Sequence, residues 1–168
     1  MMKKMLAVVG CLFVMGTTHL FAWGIGVQAG LNPFPWWGGI GGDLAVTFKL
    51  DSLPLVFAAN ATIGSHSTSV GATADYWFMN PNIKGCWNWY WGVGAYAGAG
   101  IGWNPGWASF DIGPRVLIGM NWFFGDSKFF ELYTQLAAQP TFRIGDWDHV
   151  DLFDLRLPLN VGIRFWFN

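Results

Sequence analysis

From Gly85 to Phe110 the chain carries no charged residue, yet this long apolar stretch does not have the pattern of a membrane helix. Residues 87–102 read WNWYWGVGAYAGAGIG. Trp87, Trp89, Trp91, Val93, Ala95, Ala97, Ala99 and Ile101 share one parity, while Asn88, Tyr90, Tyr96 and five glycines share the other. Alternate side chains of a strand point to opposite faces, whereas a helix of about 3.6 residues per turn would scatter both sets around its circumference. The stretch therefore predicts a long strand with one wholly apolar face and one face that is small or polar.

Eight such segments follow one another: about Trp23–Leu31, Ile40–Leu50, Leu55–Gly64, Ser69–Phe78, Trp87–Gly102, Trp107–Phe123, Phe129–Phe142 and Leu152–Phe167. Nine charged residues lie inside them: Asp43, Lys49, Asp75, Asp111, Arg115, Glu131, Asp154, Arg156 and Arg164. All nine fall on the polar phase. A soluble sandwich or lipocalin-like barrel also alternates, but it turns its charged face to water and fills a core with the apolar one. Here the apolar phase is too large for the inside of a small barrel, and five acids against four bases nearly cancel. An apolar exterior around a mutually neutralising interior predicts an all-β fold: an eight-stranded antiparallel up-and-down transmembrane β-barrel. The nine charges are expected to pair as an internal network, because a buried charge without a partner is costly. Glycine on the inner face leaves room for Tyr90, Tyr96 and Arg115 to cross a lumen of side-chain width, although the row from Gly92 to Gly102 could also leave a water-filled strip.

The first 22 residues, MMKKMLAVVGCLFVMGTTHLFA, combine two lysines, an apolar run and a short segment ending at Ala22. That layout predicts a secretory signal peptide, with Cys11 part of its apolar run, followed by one barrel domain over residues 23–168. Without Lys3 and Lys4 the chain has 7 basic and 10 acidic residues and no basic stripe, which argues against a nucleic-acid partner. Cys86 is then the lone cysteine, so no internal disulfide can form. Aromatic residues make up 18% and charged residues 11%, too greasy a balance for an ordinary soluble domain, and a closed barrel is the way strands satisfy their backbone groups in lipid.

An even number of strands with both termini in the periplasm also sorts the aromatic residues. Trp87, Trp89, Trp122, Phe165 and Phe167 gather toward one rim, and Trp36, Trp37, Trp103, Trp107 and Trp147 toward the other, as two interfacial girdles. In this whole-chain pattern the sequence resembles the small eight-stranded outer-membrane barrels of the OmpA-transmembrane, OmpX and OmpW kind. Its ending, IRFWFN, is similar to the last-strand signal that such proteins present to the barrel-assembly machinery, but with Asn168 after the aromatic Phe167. The resemblance implies an outer-membrane protein of a diderm bacterium in contact with outer-membrane lipid, with a structural or surface-interaction role. It also implies, at most, a narrow porin-like path for small or apolar solutes, and leaves open an extracellular ligand.

Catalytic chemistry has a weaker footing. Some small outer-membrane barrels acylate or deacylate lipid A with a His, a Ser and an acid at the outer rim. Their counterparts here would be His66 with Ser65 and Ser67, and His149 with Asp148 and Asp151, provided the two loops touch. Ordinary polar loop residues are the simpler reading, so the protein is expected to be non-enzymatic, and two scattered histidines without ligand spacing predict no metal site. A soluble periplasmic lipid-binding barrel is the third reading. The glycine spacings at Gly24–Gly30 and Gly92–Gly98 imitate a dinucleotide fingerprint but open no helix, so no cofactor is expected. Asn60-Ala61-Thr62 is a formal glycosylation sequon in mid-strand.

Overall fold

A computed structural model of the chain describes residues 22–32, 41–63, 67–103, 106–125, 128–145 and 153–167. The described residues form ten strand segments: β1 (Trp23–Asn32), β2 (Gly41–Leu50), β3 (Leu55–Ile63), β4 (Ser67–Met79), β5 (Asn82–Lys84), β6 (Trp87–Trp103), β7 (Gly106–Phe124), β8 (Phe130–Gly145), β9 (Phe153–Arg156) and β10 (Leu159–Phe167). Segment β5 is a short flap on the turn before β6. Segments β9 and β10 are two halves of one stave, since both continue the same antiparallel register on β8. Eight staves therefore stand side by side, and the last closes on the first through nine pairs from Trp23↔Phe167 to Leu31↔Leu159.

The stagger of this closed wall can be followed residue by residue. Val27 pairs with Val46, then Ala59, Ala72, Ala97, Ile112, Phe142 and finally Phe153. Val27's own partner on the last stave is Ile163, ten residues beyond Phe153. Eight staves with that stagger tilt by about 40° and enclose a space that side chains fill. The alternation seen in the sequence becomes inside and outside. On β1, Gly24, Gly26, Gln28 and Gly30 face the lumen, while Val27 and Leu31 remain 55% and 56% exposed on the outer surface. Leu44, Val70, Val116, Ile118 and Val161 are likewise exposed, as residues facing hydrocarbon would be.

Three departures from the sequence expectation have physical causes. The last stave breaks at Leu157-Pro158, where proline has no N–H for the ladder, but the Pro158 carbonyl still accepts the Ala137 N–H at 3.0 Å, so the register survives. Strand β8 runs to Gly145, which carries Arg143 into the wall rather than into a loop. Between β7 and β8 the pairing lapses from Ile112↔Phe142 to Val116↔Ala138. By register Pro114 and Pro140 come face to face in that gap, and neither can donate, so both cross-strand hydrogen bonds are missing from a lipid-facing stretch of wall. The close approach of the strands is kept by Gly113, where a Cβ would strike the Pro140 carbonyl.

Two measurements check this architecture. Val93→Arg or Val161→Arg, both on the exposed apolar face, should each cost about 2–4 kcal/mol of refolding stability in bilayers, whereas Val→Leu at the same positions should cost little. In Pro114→Ala the new amide should find the Pro140 carbonyl, become protected in hydrogen exchange and contribute about 1 kcal/mol. If that amide exchanges freely, the seam stays open for another reason.

Candidate functional site

The lumen is the candidate site, and its layers can be built up from the end that carries Trp23 and Phe167. Glu131 and Arg164 stand opposite each other in the β8–β10 register, and both are fully buried. Arg164 Nη1 donates to Glu131 Oε2 at 2.8 Å, Trp166 Nε1 donates to the same oxygen at 2.8 Å, and Asn121 Nδ2 donates to Oε1 at 2.7 Å. The Arg164 guanidinium lies 4.7 Å from the centre of the Tyr133 ring. Glycines make this crowding feasible: a Cβ at Gly24 would meet Arg164 Cδ at 2.6 Å, and one at Gly162 would run into the Tyr133 ring.

Alongside lies an apolar layer that alternation alone does not announce. Trp77 and Tyr90 stack at 3.7 Å with planes 10° apart, and Val56, Leu117 and Ala137 complete a buried cluster inside the barrel. The inner face is thus not uniformly polar. Tyr90 fits because Gly119 stands under its ring, and its hydroxyl reaches Gln135 Oε1 at 3.3 Å.

The third layer holds Arg115 and Asp75. Arg115 Nε sits 3.0 Å from Asp75 Oδ1, close enough for strong charge attraction, but its N–H is poorly aimed at that oxygen. Arg115 Nη1 donates to Gln139 at 3.3 Å. Tyr133 adds a bridge across the barrel from its hydroxyl to Gln28 Oε1, 3.2 Å away. Nearest the loop end, Asp111 accepts from Arg143 Nε at 2.7 Å and from Arg156 Nη2 at 2.8 Å, and Arg156 Nε donates to Asp154 at 2.8 Å. Asn60 Nδ2 donates to Asp43 Oδ2 at 3.2 Å, so the sequon asparagine points into the lumen.

Of the nine inward charges, seven meet an opposite charge: Asp75 with Arg115, Glu131 with Arg164, and Asp111 and Asp154 with Arg156. Asp43 takes an amide partner instead, and Lys49 lies over the Trp77 ring, 4.1 Å from its centre. The lumen also contains residues that the sequence reading left out: Arg143, because it follows a segment drawn as ending at Phe142, and Trp77 and Trp166, because their aromatic character hides that they stand on the polar phase. Side chains fill the space at two positions of the glycine row of β6. A Cβ at Gly98 would meet the Tyr96 hydroxyl, and one at Gly94 would meet Asp75.

Outside, aromatic rings touch around the rim that carries the termini. Trp23 stacks on Phe167 at 4.6 Å, Phe78 on Trp91 at 4.5 Å, and Trp87 meets Trp122 edge-on at 5.2 Å. Phe165 packs against Phe130 at 5.5 Å, and Trp89 is half-buried in the same band. At the opposite rim Phe142 and Phe153 pair at 5.7 Å. Trp36, Trp37 and Trp147 lie outside the described residues, as do Ser65, His66, Asp148, His149, Asp151 and residues 1–21, where the sequence predicts a signal peptide. Trp103 and Trp107 lie near the loop-end limits of β6 and β7.

A closed antiparallel barrel with ion pairs inside and bare apolar side chains outside is the inside-out construction of transmembrane barrels. Among solved structures the chain is similar to Neisserial surface protein A, with a TM-score of 0.57 at 18% identity over 86% of this chain and 96% of that one. It also aligns with a major outer membrane protein from Thermus thermophilus, with a TM-score of 0.43 at 14% identity over 86% and 99% of the two chains. The first likeness shows the eight-stranded fold. No protein-family description and no curated protein matches the sequence.

Removing one partner of the Glu131–Arg164 pair strands a charge with no access to water. Glu131→Ala should therefore lose about 3–5 kcal/mol in urea unfolding from micelles, and the double change Glu131→Leu with Arg164→Met should lose less than Glu131→Ala alone.

Proposed function

We propose that this protein is an integral outer-membrane barrel with a structural or surface-interaction role, closed to steady solute flow. The observation that carries the reading is the succession of layers across one narrow lumen: the Glu131 cluster, the Trp77–Tyr90 stack, the Arg115–Asp75 pair and the Asp111–Arg143–Arg156–Asp154 group. A wide channel needs a continuous wet path, and each layer here sets paired or stacked side chains across the lumen. The apolar outer surface and the aromatic rim support residence in a bilayer. Export through the segment of residues 1–22, insertion by the barrel-assembly machinery and exposure of the loop end to the outside, where an extracellular ligand would dock, belong to the same proposal. The rim-enzyme reading depends on His66 and His149, and no geometry of the described residues favours it.

Two experiments test the proposal. The unheated protein should sediment with outer membranes and migrate as a compact heat-modifiable band; recovery in the soluble periplasmic extract would sink it. Purified folded protein in planar bilayers should show no steady porin-like steps, while Arg115→Ala combined with Tyr90→Ala should introduce conductance. Steady steps from the unaltered protein would mean that the layers do not seal.

A further inference from the structure

At the end carrying the termini, beneath the turns, the barrel has a cavity of about 350 Å³ lined by Lys49, Asp51, Asn80, Asn88, Lys128 and Trp166, among others. Trp166, part of its lining, donates to Glu131 in the fully buried layer beneath. Lys49 is the unusual element. It is only 9% exposed, it lines this cavity, and among the described residues no carboxylate lies within 4.0 Å of its ammonium. Its charge rests instead near two indole rings, 4.1 Å from the centre of Trp77 and 5.5 Å from that of Trp166. Ring faces attract a cation but accept its three N–H groups poorly, so an oxyanion in the cavity would have a ready donor.

Three further features point at the same space. Lys128 adopts a left-handed φ of 55°, a conformation costly for a lysine, within a turn closed by its own N–H to the Gly125 carbonyl at 3.1 Å. Such strain collects where a side chain must be held for use. Asn88 has its Oδ1 engaged by Asn82 Nδ2 at 3.0 Å, which leaves its own amide N–H groups as donors. Asn80 Oδ1 is a buried acceptor without a partner among the described residues. Among the described residues that line the cavity, two ammonium groups thus stand with one carboxylate, that of Asp51, beside amide donors and one acceptor in need of an N–H.

We propose that this vestibule binds an amino-acid carboxylate: the carboxylate meets Lys49, Lys128 and the Asn88 amide, and the N–H on the adjacent carbon meets Asn80 Oδ1. The cavity lies at the low end of ligand-site volumes and fits one or two small residues, not a folded chain. Two sources carry this chemistry, a free amino acid and the free carboxyl end of a short peptide such as those of the cell wall. The peptide end satisfies the buried Asn80 acceptor with an amide N–H, without bringing a second bare charge into the cavity.

Titration of the folded full chain in micelles, followed by backbone amide NMR shifts, tests the proposal independently of membrane orientation. N-acetyl-D-alanyl-D-alanine should saturate shifts around Lys49, Asn80, Asn88 and Lys128, free alanine should bind more weakly, and the dipeptide with an amidated C-terminus should not bind. Lys49→Met should weaken the dipeptide at least tenfold, and Lys128→Ala, in an exposed turn where folding is not at stake, should weaken it severalfold; the heat-modifiable band reports that each variant is folded. Tighter binding of free alanine would reassign the source to free amino acids within the same site. Equal binding of inorganic phosphate, equal binding of the amidated dipeptide, or no saturable shifts at all would overturn the proposal.

Discussion

Closure of the first stave on the last is the constraint from which the other features descend. A peptide group facing hydrocarbon has no water to bond with, so an open sheet edge in lipid would leave a row of unpaired N–H and C=O groups. The nine pairs between β1 and β10 remove that edge. Once eight staves close with a ten-residue stagger, the width of the interior is set, and it admits side chains only if large and absent ones interleave. Tyr90 over Gly119, Tyr133 over Gly162 and Tyr96 over Gly98 are that interleaving. The glycines of the opening sequence stretch are consequences of barrel geometry, and at Gly94 and Gly98 the space is taken by Asp75 and Tyr96.

The interior then faces an electrostatic problem. Arginine stays charged in this setting, so each buried guanidinium needs acceptors near at hand. Glu131 meets three donors at once, and Asp111 two guanidinium groups. Placing one strongly satisfied carboxylate toward each end, with an apolar cluster and a looser Arg115–Asp75 contact between, separates the network into compartments that do not depend on one another for charge balance. Lys49 stands outside that arrangement, held by ring faces where the others are held by carboxylates.

The fold was legible because period two persists through every stave and because all nine inward charges obey it. Those two regularities come from the same cause, the cost of turning a charge to lipid, and they leave little freedom in the assignment of faces. The partners within the lumen were less legible. Val56, Leu117 and Ala137 look like lapses in alternation when viewed along one strand, and become a cluster with Trp77 and Tyr90 only when five staves are brought together. Trp77 and Trp166 share their residue type with the girdle and reveal their inward position by parity alone. Arg143 was hidden by a strand end, because Arg143-Ile144-Gly145 can be turn or ladder until Ser109 and Asp111 are seen opposite it. Which charge meets which depends on the register between strands far apart in the chain, as for Asp75 and Arg115, and register is a property of the closed wall and not of any one segment.

The facing prolines, Pro114 and Pro140, give the wall a line of weakness with a mechanical meaning. Among the described residues the β7–β8 pairing above the gap, Ser109↔Gly145 to Ile112↔Phe142, is four pairs long, while below it the pairing runs unbroken from Val116↔Ala138 to Phe124↔Phe130. A tube scored in this way does not deform evenly. Under lateral pressure from the bilayer the part near the loops can ovalise while the part near the termini keeps a round cross-section, much as a cut sleeve flares at one end. The seam between β7 and β8 is therefore where the wall can yield without unzipping the longer ladder nearer the termini.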